Sequence, residues 1–225
     1  MKTDSRGATP KQHKVTLTFD NGPTPEVTAH VLDVLRRQRI RATFFVLGQN
    51  IAEPEKRAWA QRAFDEGHWI GNHTYSHSTP LGESIDPGFS EYEIGHTQHL
   101  LGELSHVRRL FRPVGGGGHL GPHLLSTDAL AYLREGEYTC VLWNAVPRDW
   151  ENPDGWVEVA LKQCAARAWT TLVLHDLPTG AMRHLEDFIV RARLAGAVFT
   201  QDFPVDCLPI VSGKIQSDIR AFVAS

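Results

Sequence analysis

Residues 15–23 read Val-Thr-Leu-Thr-Phe-Asp-Asn-Gly-Pro. Val15–Phe19 reads as a buried strand, and a carboxylate, Asp20, follows it directly, just before a Gly-Pro turn. Pro25 then opens a helix through about Arg39, with Val27, Val31, Leu32 and Leu35 on one face. The same alternation continues along the chain. Strands are predicted at Ala42–Leu47, Trp69–Asn72, Tyr138–Trp143, Thr171–Leu174 and Ala197–Thr200. Helices are predicted at Pro54–Glu66, Tyr92–Leu110, Leu124–Arg134, Trp156–Trp169 and Met182–Leu194. Strands alternating with helices argue for a parallel sheet with crossover helices, and the number of units suits a closed or nearly closed barrel.

In such a barrel the chemistry collects at the C-terminal ends of the strands. Polar, reactive residues should therefore follow the strands, and they do so three times. Asp20 follows the first strand, His73 follows Trp69–Asn72, and His175 and Asp176 follow Thr171–Leu174.

Composition sets outer bounds. The chain has 225 residues, enough for one large α/β domain. Apolar residues make up 41% and charged residues 22%, ordinary values for a globular protein. The formal net charge is -3, so no basic field points to nucleic acid. No apolar run approaches the ~18 residues of a membrane span. The first 14 residues are polar and lack the apolar stretch of a secretory signal, so a cytoplasmic location is expected. Cys140, Cys164 and Cys207 are odd in number and far apart, and read as reduced packing residues. Residues 1–14 are expected to form a polar N-terminal segment, 15–205 the α/β domain with the strand-end residues, and 206–225 a tail or a final helix, from Ile215 to Val223.

Five clusters carry the candidate chemistry, and each has a bland alternative. Thr18–Pro23 places Asp20 and Asn21 at a strand end, but Asp, Asn, Gly and Pro are also ordinary turn formers. Gly71–His77 carries His73 and His77 at metal-ligand spacing, although such pairs arise by chance in a chain with 12 histidines. Arg112, fixed by Pro113, can orient a carboxylate or can be a solvated cation. Pro147–Trp150 sets Asp149 beside Trp150, which by itself reads as a surface acid beside a core indole. His175 is placed as a general acid or base, or is a hydrogen-bonded structural histidine.

Taken together and in this order, the five clusters resemble the motifs of the polysaccharide deacetylases, also called carbohydrate esterase family four. The resemblance implies a distorted (β/α) barrel of about seven parallel strands and hydrolysis of a non-peptide C–N bond, N-deacetylation of an acetylated amino sugar or oligosaccharide. It implies Asp20 as catalytic base, Arg112 as the residue that orients it, His175 as general acid and Asp149 as its partner. Asn21, His73 and His77 stand at the positions of the ligands of a divalent metal, zinc being the expected ion. Gly115 would offer a backbone N–H to the oxyanion, Trp150 would wall the substrate groove, and Leu174 would line the acetyl-methyl pocket.

Three features depart from the family pattern. Asn21 stands in place of the second aspartate, so the third metal ligand brings no charge. Gly115 replaces an aromatic residue and begins a run of four glycines through Gly118, followed by His119 and His123. The chain also shows no export signal. A second reading, a small-molecule amidohydrolase of ureides or cyclic imides with weak or no metal dependence, draws on the same departures. A non-catalytic sugar-binding relative is a third. The partner in the first reading is a small-molecule or oligosaccharide substrate, with neither nucleic acid nor membrane.

Overall fold

The computed structural model describes residues 11–224. Its sheet is built around β1 (His13–Asp20), whose whole length pairs in parallel with β6 (Trp169–His175). The other edge of β1 is shared. β7 (Ala197–Thr200) pairs with His13–Thr16, and β2 (Thr43–Val46) pairs with Thr18–Asp20. From β2 the sheet continues in parallel through β3 (Trp69–Asn72), β4 (Leu110–Phe111) and β5 (Thr139–Cys140). Beyond β5 the chain bridges Ala145 to Leu172 of β6, and Val173 N–H donates to Ala145 O at 3.0 Å. That single bridge closes the seam of a distorted barrel of seven parallel strands. Two short antiparallel strands, β8 (Ile210–Val211) and β9 (Lys214–Ile215), extend the sheet from β5.

Strand alternation decides which side chains face the barrel interior. On β1, Val15, Leu17 and Phe19 are fully buried in the layer between sheet and helices. They pack with Leu32 and Leu35 of α1 (Pro25–Gln38), Trp156 of α6 (Trp156–Ala165) and Phe188 of α7 (Leu185–Leu194). Each such side chain contributes roughly 1.5–3 kcal/mol of burial. Thr16, Thr18 and Asp20 point the other way, into the barrel, and Asp20 emerges at its C-terminal rim.

Several boundaries differ from the sequence reading, each for a local reason. The helix expected over Tyr92–Leu110 is broken. A π-helical turn spans Glu91–His96, α4 covers Thr97–Leu101, a 3-10 turn covers Gly102–Leu104, and Leu110 belongs to strand β4. Gly102, at φ 52°, takes the chain out of the helical path. The helix expected from Leu124 begins at Thr127 as α5 (Thr127–Glu135), because Ser126 Oγ accepts from Ala129 N–H at 3.0 Å and caps it there. Of Tyr138–Trp143 only Thr139–Cys140 pairs as a strand, and α6 stops at Ala165, leaving Trp169 to open β6. The tail helix expected over Ile215–Val223 does not form. Lys214–Ile215 folds back on Ile210–Val211, and only a 3-10 turn at Arg220–Phe222 follows. Ile219 is buried in the core there, and Val223 bridges Leu125 in extended form. The apolar spacing of that tail serves these separate anchors instead of one helical face.

No helix among the described residues is long and apolar enough to cross a membrane. The three cysteines are free and buried.

Candidate active site

The C-terminal rim of the barrel gathers the predicted residues from four strands. Asp20 and His175 end the adjacent strands β1 and β6 and are register partners. His73 follows β3, and Arg112 follows β4. Asp149 and Trp150 come from the loop after the closing bridge. These groups surround a cavity of about 270 Å³ lined by, among others, Asp20, His73, His77, Trp143, Trp150 and His175.

Asp20 is held from below. Arg112 is fully buried, and its Nη1 donates to Asp20 Oδ1 at 2.8 Å and to Thr18 Oγ1 at 2.6 Å. Its Nε and Nη2 donate to the carbonyls of Val141 and Leu142 at 3.1 and 3.4 Å, and the guanidinium lies 4.1 Å from the centroid of the Phe45 ring. A planar cation satisfied by four acceptors is a fixed charge. The other carboxylate oxygen, Oδ2, faces His73 Nε2 at 3.7 Å.

His175 is held from the side. Its Nδ1 lies 2.9 Å from Asp149 Oδ1, and its backbone N–H donates to Asp149 Oδ2 at 3.0 Å. Asp149 is fully buried, and Trp150 meets the imidazole edge-on with ring centroids 4.7 Å apart. Burial opposes the charge on His175, but the hydrogen bond to Asp149 and the charges of Asp149, Asp20 and Asp176 outweigh it and raise the imidazole pKa above its ordinary value. The ring therefore favours the protonated form that a general acid needs, and Nδ1–H to Asp149 leaves Nε2 facing the cavity.

His73 and His77 approach each other with ring centroids 5.0 Å apart. His73 Nδ1 lies 2.8 Å from the carbonyl of Arg112, which fixes the proton on Nδ1 and frees Nε2 as a donor atom. Burial pushes the His73 pKa down to about 3 and lowers that of His77, so both rings are neutral, as metal ligation requires. The third donor is an amide. Asn21 Oδ1 is buried and finds no hydrogen-bond partner among the described residues. Asn21, His73 and His77 line the same cavity, and an orphaned amide oxygen with two neutral imidazoles is a donor set that fits a divalent cation, although no group of three His, Cys, Asp or Glu side chains gathers among the described residues.

The backbone around these groups is strained. Asn21, Thr74, His77 and Arg148 all have positive φ, at 73°, 68°, 55° and 57°. For residues with a Cβ this costs roughly 1–2 kcal/mol each, and such outliers concentrate at working sites.

The substrate-side predictions divide. Gly115 and Trp150 line the cavity. A Cβ on Gly115 would sit 2.5 Å from the Trp143 ring, so the indole occupies the space an aromatic side chain at 115 would need. Trp143 Nε1 also donates to Gly118 O at 2.9 Å, tying that indole to the end of the glycine run. Leu174, in contrast, is fully buried among the helices and does not reach the cavity. Residues two apart on a strand share a face, so the side chain beside His175 is Val173, and Val173 and Leu177 provide the apolar lining. The period-2 rule applied to β6 would have found Val173.

Glu93 had no signal in the sequence. It is buried in the π-helical turn, where its carboxylate accepts from Tyr75 N–H at 2.8 Å, Ser76 N–H at 2.9 Å and Ser76 Oγ–H at 2.6 Å. It thereby shapes the loop between the two histidines.

The sequence comparisons agree with this geometry. Residues 7–141 match the family model described as polysaccharide deacetylase. The chitooligosaccharide deacetylase of Rhizobium leguminosarum bv. phaseoli is 33% identical over 181 residues, covering 78% of this chain and 73% of that protein. A peptidoglycan-N-acetylglucosamine deacetylase of Bacillus cereus is 32% identical over 166 residues, 72% of each chain. Among solved structures, a T48 deacetylase with substrate superposes with a TM-score of 0.68 at 28% identity, covering 84% of this chain and 88% of that one. A family 4 carbohydrate esterase from Streptomyces lividans in complex with acetate gives a TM-score of 0.70 at 25% identity, covering 88% and 97%.

The fold and the site define a hydrolase of the deacetylase type. The chain belongs to the polysaccharide deacetylase family.

Proposed function

We propose that the chain removes the N-acetyl group of an N-acetylated amino sugar or short oligosaccharide with a divalent metal, zinc, as cofactor. The observation that carries this reading is the register pairing of Asp20 and His175. It sets a buried carboxylate and a raised-pKa imidazole side by side at one cavity, each with its own fixed partner.

Asn21 Oδ1, His73 Nε2 and the His77 imidazole would hold the ion, which when bound supplies Lewis-acid polarisation of the acyl oxygen and a more acidic water. Asp20 takes the proton of the attacking water, and Arg112 keeps the carboxylate aimed. The Gly115 N–H stabilises the charge that develops on the acyl oxygen. His175, kept cationic by Asp149, gives its proton to the departing amine, which cannot leave as an anion. Trp150 walls the sugar side of the cavity. Val173 and Leu177 close its apolar end around a group as small as an acetyl methyl.

The neutral ligand Asn21 and the glycine run Gly115–Gly118 favour the small-molecule amidohydrolase reading. Metal content by elemental analysis, with acetate release from chitin oligosaccharides followed with and without chelator, separates the two. About one ion per chain and chelator-sensitive release support the deacetylase. A metal-free protein that hydrolyses ureides or cyclic imides overturns it.

A further inference from the structure

Asp176 follows the general acid directly, is fully buried, and enters the reaction described above only as one of the charges near His175. Its Oδ2 accepts from the hydroxyl of Thr28, in the first turn of α1. The same hydroxyl accepts from Thr24 N–H at 2.8 Å, so Thr28 ties the start of the helix to the end of β6. The carboxylate also occupies the space beside Gly22 where a Cβ would lie, so position 22 tolerates no side chain. On its far side the same turn is held by Asn50, whose Nδ2 donates to Asn21 O at 2.8 Å and to Gly22 O at 3.3 Å.

The need for such a clamp follows from the topology. Asp20 and His175 are the last register partners of β1 and β6, and past them the two chains diverge into separate turns. Backbone bonds tie the turn to the end of β2, Asn21 N–H to Phe45 O at 3.2 Å and Leu47 N–H to Gly22 O at 3.1 Å, but among the described residues none joins the Asn21–Thr24 turn to the chain past His175. Burying a carboxylate is costly unless its hydrogen bonds are made, yet Asp176 Oδ1 finds no partner among the described residues. The group is retained at a cost that an apolar side chain would avoid.

We infer that Asp176 is a positioning residue that locks the turn just past the base, which carries the amide ligand Asn21, to the strand carrying the acid, through Thr28 and Gly22. This inference rests on the proposed deacetylation. It assigns the Thr28–Asp176 contact to the chemical step and not to substrate affinity.

The test uses the 225-residue chain with added zinc and a chitin oligosaccharide, comparing Thr28→Val, Thr28→Ser, Asp176→Ala and Asp176→Asn. Thr28→Val and Asp176→Ala are expected to lower kcat at least ~10-fold with KM within about twofold, the pattern of a geometry lost only at the transition state. Thr28→Ser and Asp176→Asn, which keep a donor and an acceptor, are expected to restore most of it. Equal loss in Thr28→Val and Thr28→Ser, or a change confined to KM, overturns the inference. Amide hydrogen exchange of peptides covering residues 20–28 needs no turnover. It is expected to accelerate in Thr28→Val and recover in Thr28→Ser. If the wild type hydrolyses no acetylated sugar, the deacetylase reading fails, and this exchange result alone decides the clamp: unchanged exchange in Thr28→Val overturns it.

Discussion

Arg112 Nη1 lies 2.8 Å from Asp20 Oδ1; Asp20 lines the cavity, and Arg112 is fully buried behind it. The guanidinium makes that contact as one of several, since it also spans Thr18 Oγ1 and the carbonyls of Val141 and Leu142. Asp20, the proposed base, is thus held by a cation that the barrel wall itself keeps in place.

Removing that cation leaves a buried carboxylate without a partner. Arg112→Ala should destabilise the protein by about 3–5 kcal/mol, measured by urea unfolding. Arg112→Lys keeps the charge but cannot reach the same four acceptors. It should fold, and its kcat should fall at least ~10-fold.

The pH profile should report His175. Its pKa is raised, so the acid is present at low pH and lost as pH climbs through a value above the ordinary imidazole range near 6.5. The alkaline limb of kcat/KM should lie above that value. Asp149→Asn removes the hydrogen-bonded charge and should move the limb to lower pH, with turnover at neutral pH falling by roughly 10²–10⁴-fold. A limb unmoved in Asp149→Asn would show that another group is the acid.

In the proposed metal site Asn21 would contribute an oxygen without a charge. Asn21→Asp adds a charged ligand at the same position and should tighten divalent metal binding at least ~10-fold, measured by competition with a chromogenic chelator. Unchanged affinity would place the ion elsewhere.

Gly115→Ala should fail for a steric reason. The new Cβ falls 2.5 Å from the Trp143 ring. The indole must move, its bond to Gly118 O is lost, and the cavity changes shape. KM for a chitin oligosaccharide should rise, and the variant's tryptophan fluorescence should shift.

Much of this site was legible in the sequence because its residues sit where strands end. Asp20, His73 and His175 each follow a buried strand, and the barrel geometry brings strand ends together. Arg112 and Asp149 were legible through the motif pattern. Leu174 was misplaced because a strand turns successive side chains to opposite faces, and Val173, not Leu174, shares a face with His175. Glu93 was illegible. It works only because a π-helical turn rotates it inward onto backbone N–H groups some 17 residues away, and periodicity does not show such a turn. The tail was misread for a related reason. Its apolar residues are spaced like a helix face but anchor a hairpin, a 3-10 turn and a bridge.

The central claim is that Asp20 works as the base of an N-deacetylation. Acetate release from chitin oligosaccharides by the metal-loaded wild type and by Asp20→Asn tests it most directly. The expected result is steady release by the wild type and a loss of roughly 10²–10⁴-fold in the variant. Release at the same rate by both would contradict the account.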